Sequence, residues 1–240
     1  MKKRAIYLLV IFFMAVGCQE KTSKRSGAKV ESTKNDTITL TEERVKEQPK
    51  VKMFTVEEDT TFVLLTDYSD DFVFDMKYAT EDNFLKSKVY DCDECYVRTL
   101  TAKALIAANA EFMKMGYRIK FFDCYRPLDV QKKMWKIFPN PIYVADPALG
   151  SIHNRGGAVD ITLVDLEGNE LDMGTTFDFF GKEAHHAYQG FSSEVLSNRK
   201  LLKETMEKHG FLSITSEWWH YNLKALSRAT VANFKWNCDI

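Results

Sequence analysis

From residue 54 onward the chain carries short runs of patterned hydrophobicity. Residues 61–65 and 72–76 are apolar runs suited to strands. Residues 100–115 read as a helix, because Leu105, Ala108, Phe112 and Met115 recur at helical spacing, Thr101 can cap the start and Gly116 stops it. Residues 117–122 alternate as a strand, and Pro127 then opens a second helix over roughly residues 128–138. Residues 158–164 are β-rich, with a turn expected at 165–168. A long helix is expected over 193–209, capped by Ser192 or Ser193, with Val195, Leu202 and Met206 on one face and Gly210 at its end. Residues 211–223 read as strands around a short break. Helices and strands mix without regular βαβ alternation. The expected fold class is therefore α+β: a single domain over residues 54–240 with a central, largely antiparallel sheet flanked by helices.

The first residues follow a different pattern. Lys2, Lys3 and Arg4 precede an apolar run over residues 5–16 that ends at Gly17-Cys18. Such a run is too short to span a bilayer as a stable helix and has the form of an export signal. A small residue before a cysteine resembles a bacterial lipoprotein signal over residues 1–18, in which Cys18 would be lipidated, although Ala15 stands where leucine is more usual. A plain secretory signal is the alternative. Both imply export, and the first implies a lipid anchor on the periplasmic side of the cell envelope. Residues 19–53 hold no aromatic residue and are rich in Lys, Glu, Ser and Thr, so they read as a disordered tether. At ~3.3 Å per residue its extreme reach is on the order of 100 Å.

Composition bounds the class. The chain has 240 residues, 45% hydrophobic and 13% aromatic, enough for one real core. Its formal net charge of -1 gives no field favouring nucleic acid, and no nucleic-acid motif is present. No protein partner can be inferred. Beyond Cys18, four of the five cysteines remain: Cys92, Cys95, Cys124 and Cys238. In an oxidising compartment they suggest up to two disulfides, with three pairings open. For Cys92-Asp-Glu-Cys95, a local disulfide or free thiols is the expectation. A zinc knuckle lacks the second half it would need.

Chemistry enters with two of the five histidines. His153 lies in SIHNRGGAVD, followed by Asp160, and His220 lies in Glu217-Trp218-Trp219-His220-Tyr221. A hydrolytic zinc site wants three protein ligands and an open position for water. Two imidazoles and one carboxylate leave the ion a net charge that keeps it a strong Lewis acid. His153, Asp160 and His220 would make that set, one ion per chain, with Asp160 at the start of a strand so that the site stands on the sheet. Gly156 and Gly157 allow a tight loop between the first two ligands. Glu217 is placed to act as general base, and Trp218 and Trp219 are expected to wall the pocket. Taken singly, each has a plainer explanation: a surface or core histidine, a turn-capping aspartate, core tryptophans.

Together, Ser151-x-His153-x-x-Gly156-x-Ala158-x-Asp160 and Glu217-Trp-Trp-His220 resemble the zinc D-alanyl-D-alanine dipeptidases, relatives of the zinc D,D-carboxypeptidases that trim peptidoglycan. Asp172-Met-Gly-Thr-Thr-Phe-Asp178, His185-His186, Asn198-Arg199, Met76-Lys-Tyr-Ala-Thr80 with Asn83-Phe84, and Tyr125-Arg126-Pro127 also resemble the dipeptidase branch, and the likeness spans roughly residues 66–223. It implies that His153, Asp160 and His220 bind zinc and that Glu217 is base and then proton donor. It further implies that Arg126 stabilises the oxyanion, Ser151 helps hold the substrate carboxylate and Asp178 pairs with the substrate ammonium. The implied substrate is D-Ala-D-Ala or a similar small D,D-dipeptide, met during cell-wall turnover. Tyr78 is either a pocket wall or a core residue. His185 and His186 receive no ligand role, and His209 reads as a helix-end residue. The rival functions are a peptidoglycan D,D-carboxypeptidase or endopeptidase and, from another class, a non-catalytic wall-binding module.

Overall fold

A computed structural model describes residues 52–54 and 58–238. The proposed signal, Cys18 and nearly all of the tether lie outside the described residues, which belong to the compact unit formed by residues 47–240. Among the described residues, seven strands and three α-helices form the fold. β1 (Phe62–Leu64) pairs antiparallel with β3 (Tyr96–Arg98) in a small two-stranded sheet. The main sheet has five strands in the order β2 (Val73–Phe74), β4 (Tyr117–Asp123), β5 (Ala158–Asp165), β7 (Glu217–Leu223), β6 (Phe211–Ile214). Only the β2–β4 pair is parallel; the other three pairs are antiparallel, as the pattern predicts.

The helices are α1 (Thr99–Lys114), α2 (Leu128–Ile137) and α3 (Ser193–Lys208). α1 and α3 pack on the sheet and on each other through Leu105, Phe112, Leu202 and Met206, all fully buried. Ser192 caps α3 by accepting from the Val195 N–H. Thr101 does not cap α1. The helix begins two residues earlier, and the Thr101 hydroxyl instead donates to the Gly156 carbonyl at 2.8 Å. β2 is too short to satisfy its neighbour, so the buried Asn109 side chain takes the Ile119 N–H and donates to the Asp71 carbonyl.

The cysteines correct the sequence expectation. Cys92 and Cys95 do not bond locally, because β3 carries Cys95 toward the end of β4 while Cys92 meets the C-terminal tail. The disulfides are Cys95–Cys124 and Cys92–Cys238, with Cα–Cα separations of 5.6 and 5.8 Å. The tail packs Phe234 and Trp236 against Tyr96 and Tyr125.

Candidate metal centre

The centre is built on a row of facing residues across three strands. Asp160 of β5 pairs in register with Asp123 of β4 on one side and His220 of β7 on the other. Residues paired this way share a face of the sheet. The loop before β5 supplies His153 in a single 3-10 turn, and the chain then turns back through Gly156, whose φ of +69° favours glycine. A Cβ there would stand 2.6 Å from the Phe62 ring and 2.8 Å from the Arg98 side chain, so the position also lacks room.

His153, Asp160 and His220 each offer one donor atom, and these atoms lie within 4.8 Å of one another. Their partners fix which nitrogens face inward. His153 Nδ1 lies 2.7 Å from the Cys124 carbonyl, which can only accept, so Nδ1 carries the proton and Nε2 presents a lone pair. His220 Nε2 lies 2.9 Å from Asn222 Oδ1, which leaves His220 Nδ1 facing the centre. The two inward nitrogens are 3.2 Å apart, and His220 Nδ1 is 2.9 Å from Asp160 Oδ1. Two lone pairs and a carboxylate aimed at one point repel unless a positive charge sits among them. Without one, a proton serves: burial opposes charge on His220, but Asp160 outweighs it and pushes the imidazole up to about 9. Burial likewise opposes charge on Asp160, but His153 and His220 hold its carboxyl well below the usual range. The donor set therefore fits a divalent cation with borderline nitrogen and oxygen preferences.

Glu217 stands just outside this set, its Oε2 3.9 Å from His220 Nδ1. Burial raises its carboxyl above the ordinary value. On a regular strand, residues three apart point to opposite faces. Here β7 is irregular: Ser213 pairs with Tyr221, yet the next residue, Ile214, pairs with Glu217. The irregularity brings Glu217, Trp219 and His220 to one cavity. Trp218 points away, donating to Thr175 Oγ1 at 2.8 Å with the Arg199 guanidinium over its ring. One tryptophan, not two, walls the pocket.

The cavity is small, about 180 Å³. Besides the three donors and Glu217, Arg126, Ser151, Asp178 and Tyr78 line it, so all the site residues expected within the domain converge there. Arg126 is buried and spends donors on Asp123 and on Gln131 Oε1 (3.0 Å). The Tyr90 hydroxyl also bonds Arg126, so Asp123, Gln131 and Tyr90 together hold the guanidinium in place. Tyr78 is both: it belongs to the buried core and lines the cavity. Its ring lies 5.3 Å from the Arg126 guanidinium carbon, and its hydroxyl donates to Asp178 Oδ2 at 2.9 Å. Burial, then the negative charges of Asp160 and Glu217, push the Asp178 carboxyl well up, and a cation placed beside it would favour the ionised form. Ser151 Oγ is 3.0 Å from Asn154 Oδ1, and Asn154 Nδ2 donates to the Arg126 carbonyl. Tyr143 and Phe180 stack at 4.0 Å along the cavity wall. His209 binds Glu111 at 2.9 Å beyond the end of α3, in keeping with a structural role.

Asp123, Gln131, Asn154 and Asn222 were not singled out by the sequence. Only Asp123 offers a sequence signal, an acid three residues before Arg126 at a strand end.

The family model Peptidase_M15, described as D-ala-D-ala dipeptidase, matches residues 58–235. The D-alanyl-D-alanine dipeptidase of Escherichia coli (strain K12) is 34% identical over 170 residues, covering 71% of this chain and 88% of that one. That of Enterococcus faecalis (strain ATCC 700802 / V583) is 34% identical over 174 residues, covering 62% and 85%. Among solved structures, VanYB in complex with D-alanine-D-alanine matches at 16% identity and a TM-score of 0.36, covering 54% of this chain and 72% of that chain, too distant to carry an argument.

Proposed function

Because the chain belongs to the Peptidase_M15 family of D-Ala-D-Ala dipeptidases, we propose that it is a zinc metallopeptidase hydrolysing D-Ala-D-Ala or a similar small D,D-dipeptide in cell-wall turnover. The observation that carries the metal assignment is the convergence of one donor atom each from His153, Asp160 and His220, all within 4.8 Å of one another. These three residues would hold one zinc ion, which supplies Lewis acidity and brings the pKa of water toward ~7.

The remaining chemistry belongs to the chain. Glu217, its carboxyl raised by burial, takes a proton from the attacking water and returns it to the departing amine nitrogen. Arg126, held by Asp123 and Gln131, turns its positive charge to the oxyanion. Asp178 takes the substrate ammonium and Ser151 the substrate carboxylate. A longer peptide brings a neutral amide where the ammonium belongs and leaves Asp178 buried without its partner. Such a loss, with the small cavity, favours the free dipeptide over a stem peptide.

We further propose export, with a lipid anchor at Cys18 on the periplasmic side of the envelope. The two disulfides support an oxidising compartment. The functional reading is tested by comparing kcat/KM for D-Ala-D-Ala with that for a D-Ala-D-Ala-terminated stem peptide. Preference for the dipeptide is expected; preference for the stem would assign a carboxypeptidase, and no hydrolysis of either would assign a binding module.

A further inference from the structure

The two disulfides differ in what they touch. Cys124 follows directly on β4, where the chain leaves the ladder. Its N–H bonds the Asp123 side chain, and its carbonyl receives His153 Nδ1. Two residues on, the Arg126 N–H donates to the His153 carbonyl at 3.2 Å, so this short segment grips His153 from both its ring and its backbone. Cys95 sits just ahead of β3, its own carbonyl held by the Leu65 N–H at 3.0 Å. Both half-cystines are buried. The Cys95–Cys124 bond therefore ties the free end of β4 to the small β1–β3 sheet at the residue that aims His153.

We propose that the Cys95–Cys124 disulfide is a positioning element of the metal centre: it fixes the Cys124 carbonyl, and through it the direction of His153 Nε2, and so sets the affinity for zinc. The inference rests on reading His153, Asp160 and His220 as zinc ligands. Cys92–Cys238 serves a different end. It fastens the tail, and its nearest polar neighbour is the Trp236 indole N–H, 3.1 Å from Cys92 Sγ. Its loop is also far longer, with a sequence separation of 146 against 29 for the first bond.

These facts give opposite rankings. Chain entropy makes the longer loop matter more to stability. Positioning makes the shorter one matter more to zinc. The test compares C95A/C124A and C92A/C238A in the full chain, measuring zinc affinity by competition with a chromophoric chelator and Tm of the metal-free protein. We expect C95A/C124A to weaken zinc binding about 10–100-fold, the usual effect of losing the partner that orients a ligand. C92A/C238A, whose bond holds no partner of the three donors, should stay within about 2-fold of wild type while losing more Tm. Should C95A/C124A fail to fold, Cys95→Val with Cys124→Ala refills the volume and carries the same comparison. Unchanged zinc affinity without the Cys95–Cys124 bond, or losses that follow Tm in both variants, would overturn this inference alone. A wild-type chain that binds no zinc would overturn the metal reading and this inference with it.

Discussion

Asp160 and His220 face each other on neighbouring antiparallel strands, with 2.9 Å between Asp160 Oδ1 and His220 Nδ1. The sheet ladder itself sets this pair, so two of the three donors are positioned by backbone hydrogen bonds. The third, His153, comes from a loop and takes its ring direction from the Cys124 carbonyl. The site thus has a rigid half on the sheet and a second half on a loop.

On the rigid half, the remaining freedom of His220 is rotation of its ring, which Asn222 restrains. Asn222→Ala removes that acceptor. Zinc affinity should fall about 10–100-fold, with little change in Tm of the metal-free protein. Chelator competition measures it, and an affinity equal to wild type would show that the ring needs no such restraint.

Glu217 lies beside the donor set without belonging to it. Glu217→Gln keeps the size of the side chain and removes the base. Zinc content should remain at the wild-type level while kcat drops about 10²–10⁴-fold. A variant that loses its zinc would instead make Glu217 a ligand.

Much of this was legible in the sequence. The three helices and most strand positions follow from local periodicity, and the two motifs holding His153, Asp160, Glu217 and His220 together point to the candidate metal site. What was hidden depends on distant pairing. A strand carrying Glu217 and His220 three residues apart should split them across the sheet, and only the irregular pairing at Ser213 and Ile214 reunites them. The same irregularity sends Trp218 out of the pocket. The disulfides were unreadable because Cys92 and Cys95, three residues apart, each meet a cysteine far along the chain. Asn154 and Asn222 look like ordinary loop and strand residues until their partners are seen.

Specificity should reside in Asp178. Asp178→Asn removes the carboxyl group proposed to meet the substrate ammonium and keeps an oxygen for the Tyr78 hydroxyl. KM for D-Ala-D-Ala should rise about 10–100-fold, as expected for a charge-assisted hydrogen bond of ~1.5–3 kcal/mol, and the preference over stem peptides should shrink. Unchanged selectivity would remove Asp178 from the recognition of the amine end.

Protons and metal compete for one place, which sets a pH dependence. His220 is raised from 6.5 to about 9 in the metal-free protein, so its protonated form contributes stability that is full below pH 6.5 and lost as pH rises through 9. Zinc needs the unprotonated ring. The increase in Tm on adding zinc should therefore widen from pH 6.5 to 8.5, measured by thermal melts with and without the metal in a zinc buffer. A constant or narrowing increment would contradict the competition.

The most direct measurement is the release of D-alanine from D-Ala-D-Ala by metal-stripped protein during titration with zinc. Hydrolysis should be absent at the start, rise with added zinc, break at one equivalent per chain, and fail to appear in His220→Ala. Full activity in the stripped protein, or no release at any zinc level, would contradict the account.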